Sequence, residues 1–251
     1  FGKLHNAQWG GVPKYDLTDR HARFINGKFP TGWYTYRNIV LPLFNPRKDS
    51  LSNISSFDYE NRFGNHIGQI NLGASINRPF SQIMVYKEIP FETGQTFSSF
   101  TNIDDGLYGI SYISKLSKPF IKRISLEYFQ TTNQGMYRPG LLKLLGIQGK
   151  HYGRNKNNYF NHNQYLDGWS YNESNIGSPF VIPRFELNLK EYLQYPAYKF
   201  LYNSVKAVYL GSENYLWNIR FLTKLSISKN FGLADFAMPN KQQFSGNISA
   251  T

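Results

Sequence analysis

Apolar and polar residues alternate with a period of two along much of this chain, in segments of about ten residues, the length a tilted membrane-spanning strand requires. Ile70, Leu72, Ala74 and Ile76 face one way, while Gln69, Asn71, Gly73, Ser75 and Asn77 face the other. After a turn at Asn77-Arg78-Pro79-Phe80, the run 81–91 sets Ile83, Val85, Ile89 and Phe91, with Lys87 as an exception, against Gln82, Met84, Tyr86 and Glu88. The pattern predicts further strands over 106–117 and 119–132, joined through Ser117-Lys118-Pro119. It also predicts strands over 200–210 and 215–230, joined through Gly211-Ser212-Glu213-Asn214. With partial strands at 1–9 and 243–251, about eight strands are expected, each with one wet face.

The connections add a second regularity. Tight turns alternate with long stretches at roughly 10–64, 92–105, 133–198 and 231–241, and long structureless loops are uncommon in compact domains unless functional. Short turns at one rim and long loops at the other are the habit of outer-membrane barrels. Helix is expected only within loops, at 17–27, where Thr18 or Asp19 could cap and Gly27 terminate, and at 140–149. The expected fold is therefore all-β, an antiparallel transmembrane β-barrel in preference to a soluble sandwich: one unit over 1–251, either a small barrel or, as the alternation up to Thr251 favours, an arc of a larger barrel truncated at both ends, with long extracellular loops and little helix.

Composition supports this reading. Tyr (19) and Phe (20) are abundant, yet mean hydropathy is −0.48, as suits a wall that is greasy on one face and polar on the other. No run approaches the roughly 18 apolar residues of a transmembrane helix. The absence of Cys removes disulfides, thiolate metal sites and cysteine nucleophiles. The formal net charge of +12 favours anionic partners: acidic polysaccharide, lipopolysaccharide phosphate or nucleic acid. Basic residues are spread evenly, with no compact cluster of the kind that reads nucleic acid, so that partner is not expected. Arg123, Lys206, Arg220 and Lys224 fall on predicted polar faces, where ion pairing with neighbours such as Glu127 is expected.

Chemistry concentrates in the longest loop, at Tyr159, Phe160, Asn161, His162, Asn163, Gln164, Tyr165, Leu166, Asp167, Gly168, Trp169, Ser170 and Tyr171. Sugars offer flat C–H faces rimmed by hydroxyls, so a site needs aromatic platforms beside amides and carboxylates. Candidate polysaccharide contacts are Tyr159, Asn161, His162, Asn163, Tyr165, Asp167, Trp169 and Tyr171. The same residues could instead fold the loop down as a plug. His5, His21, His66, His151 and His162 show no metal-ligand spacing, so neither metal nor cofactor is expected. Glycosidases commonly pair two carboxylates. The loops offer only Asp104-Asp105, first of all a turn before a strand, and Asp167 with Glu173. No serine elbow or nucleotide-binding glycine pattern is present, and no catalytic residue is assigned.

Several pieces in order resemble the Wzi-type capsule-assembly proteins of Gram-negative outer membranes. They are His5, Gln8, Trp9, Gly10 and Gly11; Gly64-Asn65-His66-Ile67-Gly68; Asp105-Gly106-Leu107-Tyr108-Gly109-Ile110; Leu126-Glu127-Tyr128-Phe129 with Thr131, Asn133 and Gln134; and Tyr159 to His162 through Gly168-Trp169 to Ile176-Gly177-Ser178-Pro179. The resemblance spans about residues 5–180. It implies a monomeric, non-enzymatic outer-membrane barrel that binds capsular or exopolysaccharide and helps anchor capsule. The helical elements that close the family's periplasmic side are not recognisable, and 183–198 match nothing in it. The alternative expectation is a porin-like diffusion channel whose polar strand faces line water.

Overall fold

A computed structural model describes residues 1–13, 24, 26–40, 55, 57, 58, 63–93, 96, 100–135, 157–188, 199–233 and 238–251. The expected helices at 17–27, apart from its last turn residues, and at 140–149 lie outside the described residues.

The period-two segments form β1 (Gly2–Gln8), β2 (Asn65–Asn77), β3 (Ser81–Phe91), β4 (Gly106–Ser114) and β5 (Ile121–Gln130). A small hairpin, β6 (Ser170–Tyr171) and β7 (Ser174–Asn175), interrupts the series. Then follow β8 (Val205–Leu216), β9 (Ile219–Asn230) and β10 (Lys241–Ala250). The long strands make one 8-stranded antiparallel sheet in the order β1-β2-β3-β4-β5-β8-β9-β10. Among the described residues the sheet is open: β1 and β10 are its edges, and they do not pair with each other.

Register keeps the two faces distinct across the sheet. Ile83 pairs with Tyr112, Val85 with Ile110, Ile110 with Leu126, Leu126 with Leu210, Leu210 with Leu225 and Ile227 with Phe244. All of these lie on one face, and a slip of one residue would exchange the whole set for Ser111, Ser125, Gly211 and Lys224. The apolar face is largely uncovered: Ile76, Val85, Ile110, Leu126, Ile227 and Phe244 are all exposed.

The hairpin turns β2–β3, β4–β5 and β8–β9 gather at one end of the sheet, and each carries an exposed aromatic, respectively Phe80, Phe120 and Trp217. The last turn differs from expectation. Gly211-Ser212-Glu213-Asn214 reads as a turn by composition but continues β8, and the chain reverses at Trp217-Asn218, with Trp217 at φ 54°. Glu213 holds its place in the strand because Arg220 Nε donates to it at 2.9 Å and Arg123 Nε lies 3.5 Å away. Arg123 and Arg220 are therefore ion-paired on the polar face as expected, but with Glu213 and not Glu127. Lys206 is corrected as well: it sits on the apolar face, opposite Lys229, because Val205 and Ala207 take the inward positions.

The other end receives every long connection. There α1 (Trp33–Val40) starts after Gly32, whose carbonyl accepts the Tyr36 N–H at 3.0 Å. Thr35, Asn38 and Ile39 are buried, which turns Trp33, Tyr36 and Arg37 outward. A 3-10 turn spans Arg184–Glu186. Gly106 opens β4 at φ 106°, where a Cβ would meet the Glu88 carbonyl oxygen at 1.8 Å. Gly106→Ala is expected to cost at least ~2 kcal/mol through forced backbone movement, read as a lowered urea midpoint; an unchanged midpoint would show that the strand entry can shift freely.

Candidate functional site

Residues 157–182 fold back over the polar face of the sheet at its long-connection end and cap it. Tyr159, Phe160, Trp169 and Val181 pack with Phe200, Val205 and Ala207, and Ile67 and Phe129 of the sheet close the cluster. Val205, Ala207, Ile67 and Phe129 are the polar face's own apolar positions, grouped where the cap lands.

Polar groups fix the cap in register. Asp105 is fully buried and accepts hydrogen bonds from the backbone N–H groups of Asn133 (2.8 Å) and Gln134 (2.6 Å) and from the Tyr159 hydroxyl (2.9 Å). The Tyr159 hydroxyl in turn accepts from Asn102 Nδ2 at 2.7 Å. One carboxylate thus ties the start of β4, the segment after β5 and the cap together. Burial pushes the Asp105 carboxyl up to about 6, against the opposing pull of those three donors and Lys87. Glu92, just past β3, accepts the Phe160 N–H at 2.7 Å, and burial pushes its carboxyl up to about 8. Burial also raises the Tyr159 hydroxyl.

The candidate sugar contacts divide by location. Asn161 is a structural bracket: its Nδ2 donates to the Phe200 carbonyl and its Oδ1 accepts the Phe200 N–H, both at 2.8 Å. His162 Nδ1 accepts the Gln164 and Tyr165 backbone N–H groups at 3.2 and 3.1 Å, and its ring meets the Phe57 edge. The Tyr165 ring lies 4.6 Å from that of Phe29. Burial, aided by the Asp58 charge, raises the Tyr165 hydroxyl, and burial raises the Asp58 carboxyl.

Asp167 and Glu173 both approach the buried Lys199, at 3.7 and 2.7 Å. Asn163 is exposed. Tyr171 is exposed too, at 79%, on the β6–β7 hairpin, whose turn residues Asn172 and Glu173 sit at φ 49° and 66°. Tyr159 and Trp169 face a cavity between cap and sheet. The stretch therefore does not act as one surface: most of it is the plug, Tyr171 and Asn163 remain outside, and Tyr159 and Trp169 line the space beneath.

Two groups of candidate residues escape a reading of that stretch alone. Outside, the Tyr36 ring stands 5.5 Å from Trp33 and 5.7 Å from Trp9, forming an exposed aromatic row with Arg37 next to Tyr36 on the same helix. Helical spacing of Trp33 and Tyr36 was the available signal. Beneath the cap, a cavity of about 690 Å³ is walled by strand residues including Glu88, Glu127, Phe129 and Tyr209, which single-strand alternation places on the polar face without showing that they converge. Among the described residues no three His, Cys, Asp or Glu side chains are grouped to hold a metal ion, and no helix is long and apolar enough to cross a membrane.

Comparison with family models, with curated proteins and with solved structures finds no match to this chain.

Proposed function

We propose that this chain forms part of the wall of an outer-membrane β-barrel and binds surface polysaccharide at the rim that carries its long connections, helping to assemble or anchor capsule. The observation that carries this reading is the uncovered apolar face that runs across the sheet, opposite the face the cap occupies. In water such a face would be an aggregation surface; against lipid it is the expected exterior. The run from Ile219 to Ile227 is roughly 27 Å long at ~3.4 Å per residue, or about 21 Å across a bilayer at a ~40° tilt.

Both borders of the band suit an interface. Phe80, Phe120 and Trp217 mark the short-turn rim. At the other rim, Lys87 lies 3.4 Å over the Tyr108 ring, and Lys206 and Lys229 pair across β8 and β9 beside Phe231. Lysines there suit lipopolysaccharide phosphates. The Trp9–Tyr36–Trp33 row with Arg37 offers stacking platforms and positive charge to an acidic polysaccharide, and the exposed Lys28 and Tyr171 add to both on the described surface. The ordered resemblance to Wzi-type proteins points the same way.

The double variant Trp33→Ala/Tyr36→Ala should bind an acidic exopolysaccharide about tenfold more weakly, at ~0.7 kcal/mol per platform, with an unchanged unfolding midpoint. Equal affinity of variant and parent would remove the row from the site. The channel reading draws on Arg123, Arg220, Lys224 and Glu213, which line the polar face beyond the cap. The cap weighs against it, and the expectation is little current across planar bilayers.

A further inference from the structure

The cavity under the cap carries the opposite charge from the chain as a whole. Its ionisable carboxyl groups are Glu88 and Glu127, and no Lys, Arg or His side chain lines it among the described residues. Glu127 faces Gly109 across β4 and β5, and Tyr86 faces the same glycine across β3 and β4. A Cβ at Gly109 would lie 2.1 Å from the Tyr86 ring, so the missing side chain leaves room for that ring to cross β4, and its hydroxyl donates to Glu127. Glu88 stands on the same face, opposite Leu107. Around these carboxylates the walls are aromatic: Phe129, Tyr159, Phe160, Trp169, Phe180 and Tyr209.

Trp169 is 7% exposed and lines the cavity with part of its ring, while its Nε1–H is buried away from both solvent and the cavity. Ile176, Gly177 and Pro179, all exposed, lie at the cavity's margin and leave it a way in from solvent.

We infer that this cavity is a binding site for a small amine-bearing saccharide, of the size of a mono- or disaccharide. Aromatic faces receive the C–H faces of the ring, and Glu88 and Glu127 receive the ammonium group and hydroxyls. A uronate or other acidic sugar is refused, because its carboxylate would be desolvated beside two others with no cation to meet it. The site is separate from the acidic-polymer surface of Trp33 and Tyr36, and it needs neither the membrane nor the capsule reading to be true. The cavity volume and its acidic lining come from cap and sheet alone.

The test is calorimetric titration of the full chain in detergent with three probes at low and moderate salt: glucosamine disaccharide, cellobiose and glucuronate, with Trp fluorescence as a second readout. The expected order is glucosamine disaccharide over cellobiose, with no detectable glucuronate binding. Glu88→Gln should weaken the amino sugar by about tenfold while leaving cellobiose within about threefold. Tight glucuronate binding, saturable binding of none of the three, or an amino-sugar affinity indifferent to Glu88→Gln would each overturn the inference. The acidic-polymer assay with Trp33→Ala/Tyr36→Ala, run on the same preparation, separates failure here from failure of the surface reading.

Discussion

Replacing Asp105 by Ala is expected to lower the unfolding free energy by roughly 3–5 kcal/mol, because it strands three buried donors at about 1–3 kcal/mol each and leaves a cavity under the cap. The backbone N–H groups of Asn133 and Gln134 and the Tyr159 hydroxyl lose their acceptor together, in a place water does not reach. The effect should be local in its second readout. Residues 157–182 become cleavable by protease at concentrations that leave the parent intact, while the strand pairs at the short-turn end keep their hydrogen-exchange protection. A loss below about 1 kcal/mol, or cleavage confined to other segments, would mean that the apolar cluster around Phe200 holds the cap without this carboxylate.

A pH dependence of unusual sign follows from the same group. Burial holds the Asp105 carboxyl at about 6, above the ~3.9 of an exposed Asp. Below about pH 4 it is protonated in folded and unfolded chains alike, so the folded state carries no penalty. Between about 4 and 6 the unfolded chain has released its proton while the folded chain keeps it, so stability falls as pH rises, by ~1.4 kcal/mol per pH unit. Above about 6 the loss is complete, at roughly 3 kcal/mol. Glu92, pushed up to about 8, continues the decline toward that pH in the same direction. Urea midpoints measured from pH 4 to 8 on parent and Asp105→Asn isolate the contribution: the parent should lose stability across the lower part of that window and the variant much less. Parallel curves would contradict it.

Both predictions concern a junction that was only half legible beforehand. The strands were readable because a sheet with one lipid-like and one wet face must alternate, and Ile83, Val85 and Ile89 fall on the same side whatever they later touch. The bounds 81–91 needed no correction. The β8–β9 turn was misplaced because Gly211, Ser212, Glu213 and Asn214 have turn-like composition, and only the tertiary pairing of Glu213 with Arg123 and Arg220 reveals a strand. Lys206 was set on the wrong face for a related reason. The strand begins with the apolar inward residues Val205 and Ala207, whose place on the otherwise polar face is evident only once Phe200 and the cap are seen to cover them.

The candidate site divided in the same way. Aromatic and amide density singled out 159–171 as candidate sugar contacts or a plug, but density does not distinguish Asn161, spent on the Phe200 backbone, from Tyr171, exposed on a hairpin. Asp105 read as a turn signal, and it is one, since Gly106 follows at φ 106°. Its role as the anchor of Tyr159 depends on residues 54 positions apart. Glu88 and Glu127 could be placed on the polar face from alternation alone. Their shared cavity depends on the β3-β4-β5 register and on Gly109, which no local pattern encodes.

Contact of the uncovered face with lipid can be tested directly, because the sequence contains no Cys. Single cysteines at Ile110, Leu126 and Ile227 on one face, and at Ser111, Ser125 and Ser226 on the other, are labelled with a fluorophore and the protein is reconstituted into liposomes. Quenching is then measured with a lipid-borne nitroxide and with aqueous iodide. A lipid-facing apolar face gives strict alternation: the first three quenched by the nitroxide and shielded from iodide, the second three not quenched by the nitroxide. Equal iodide access on both faces, with no lipid quenching at Ile110, Leu126 or Ile227, would contradict it and leave a sheet that does not enter the bilayer.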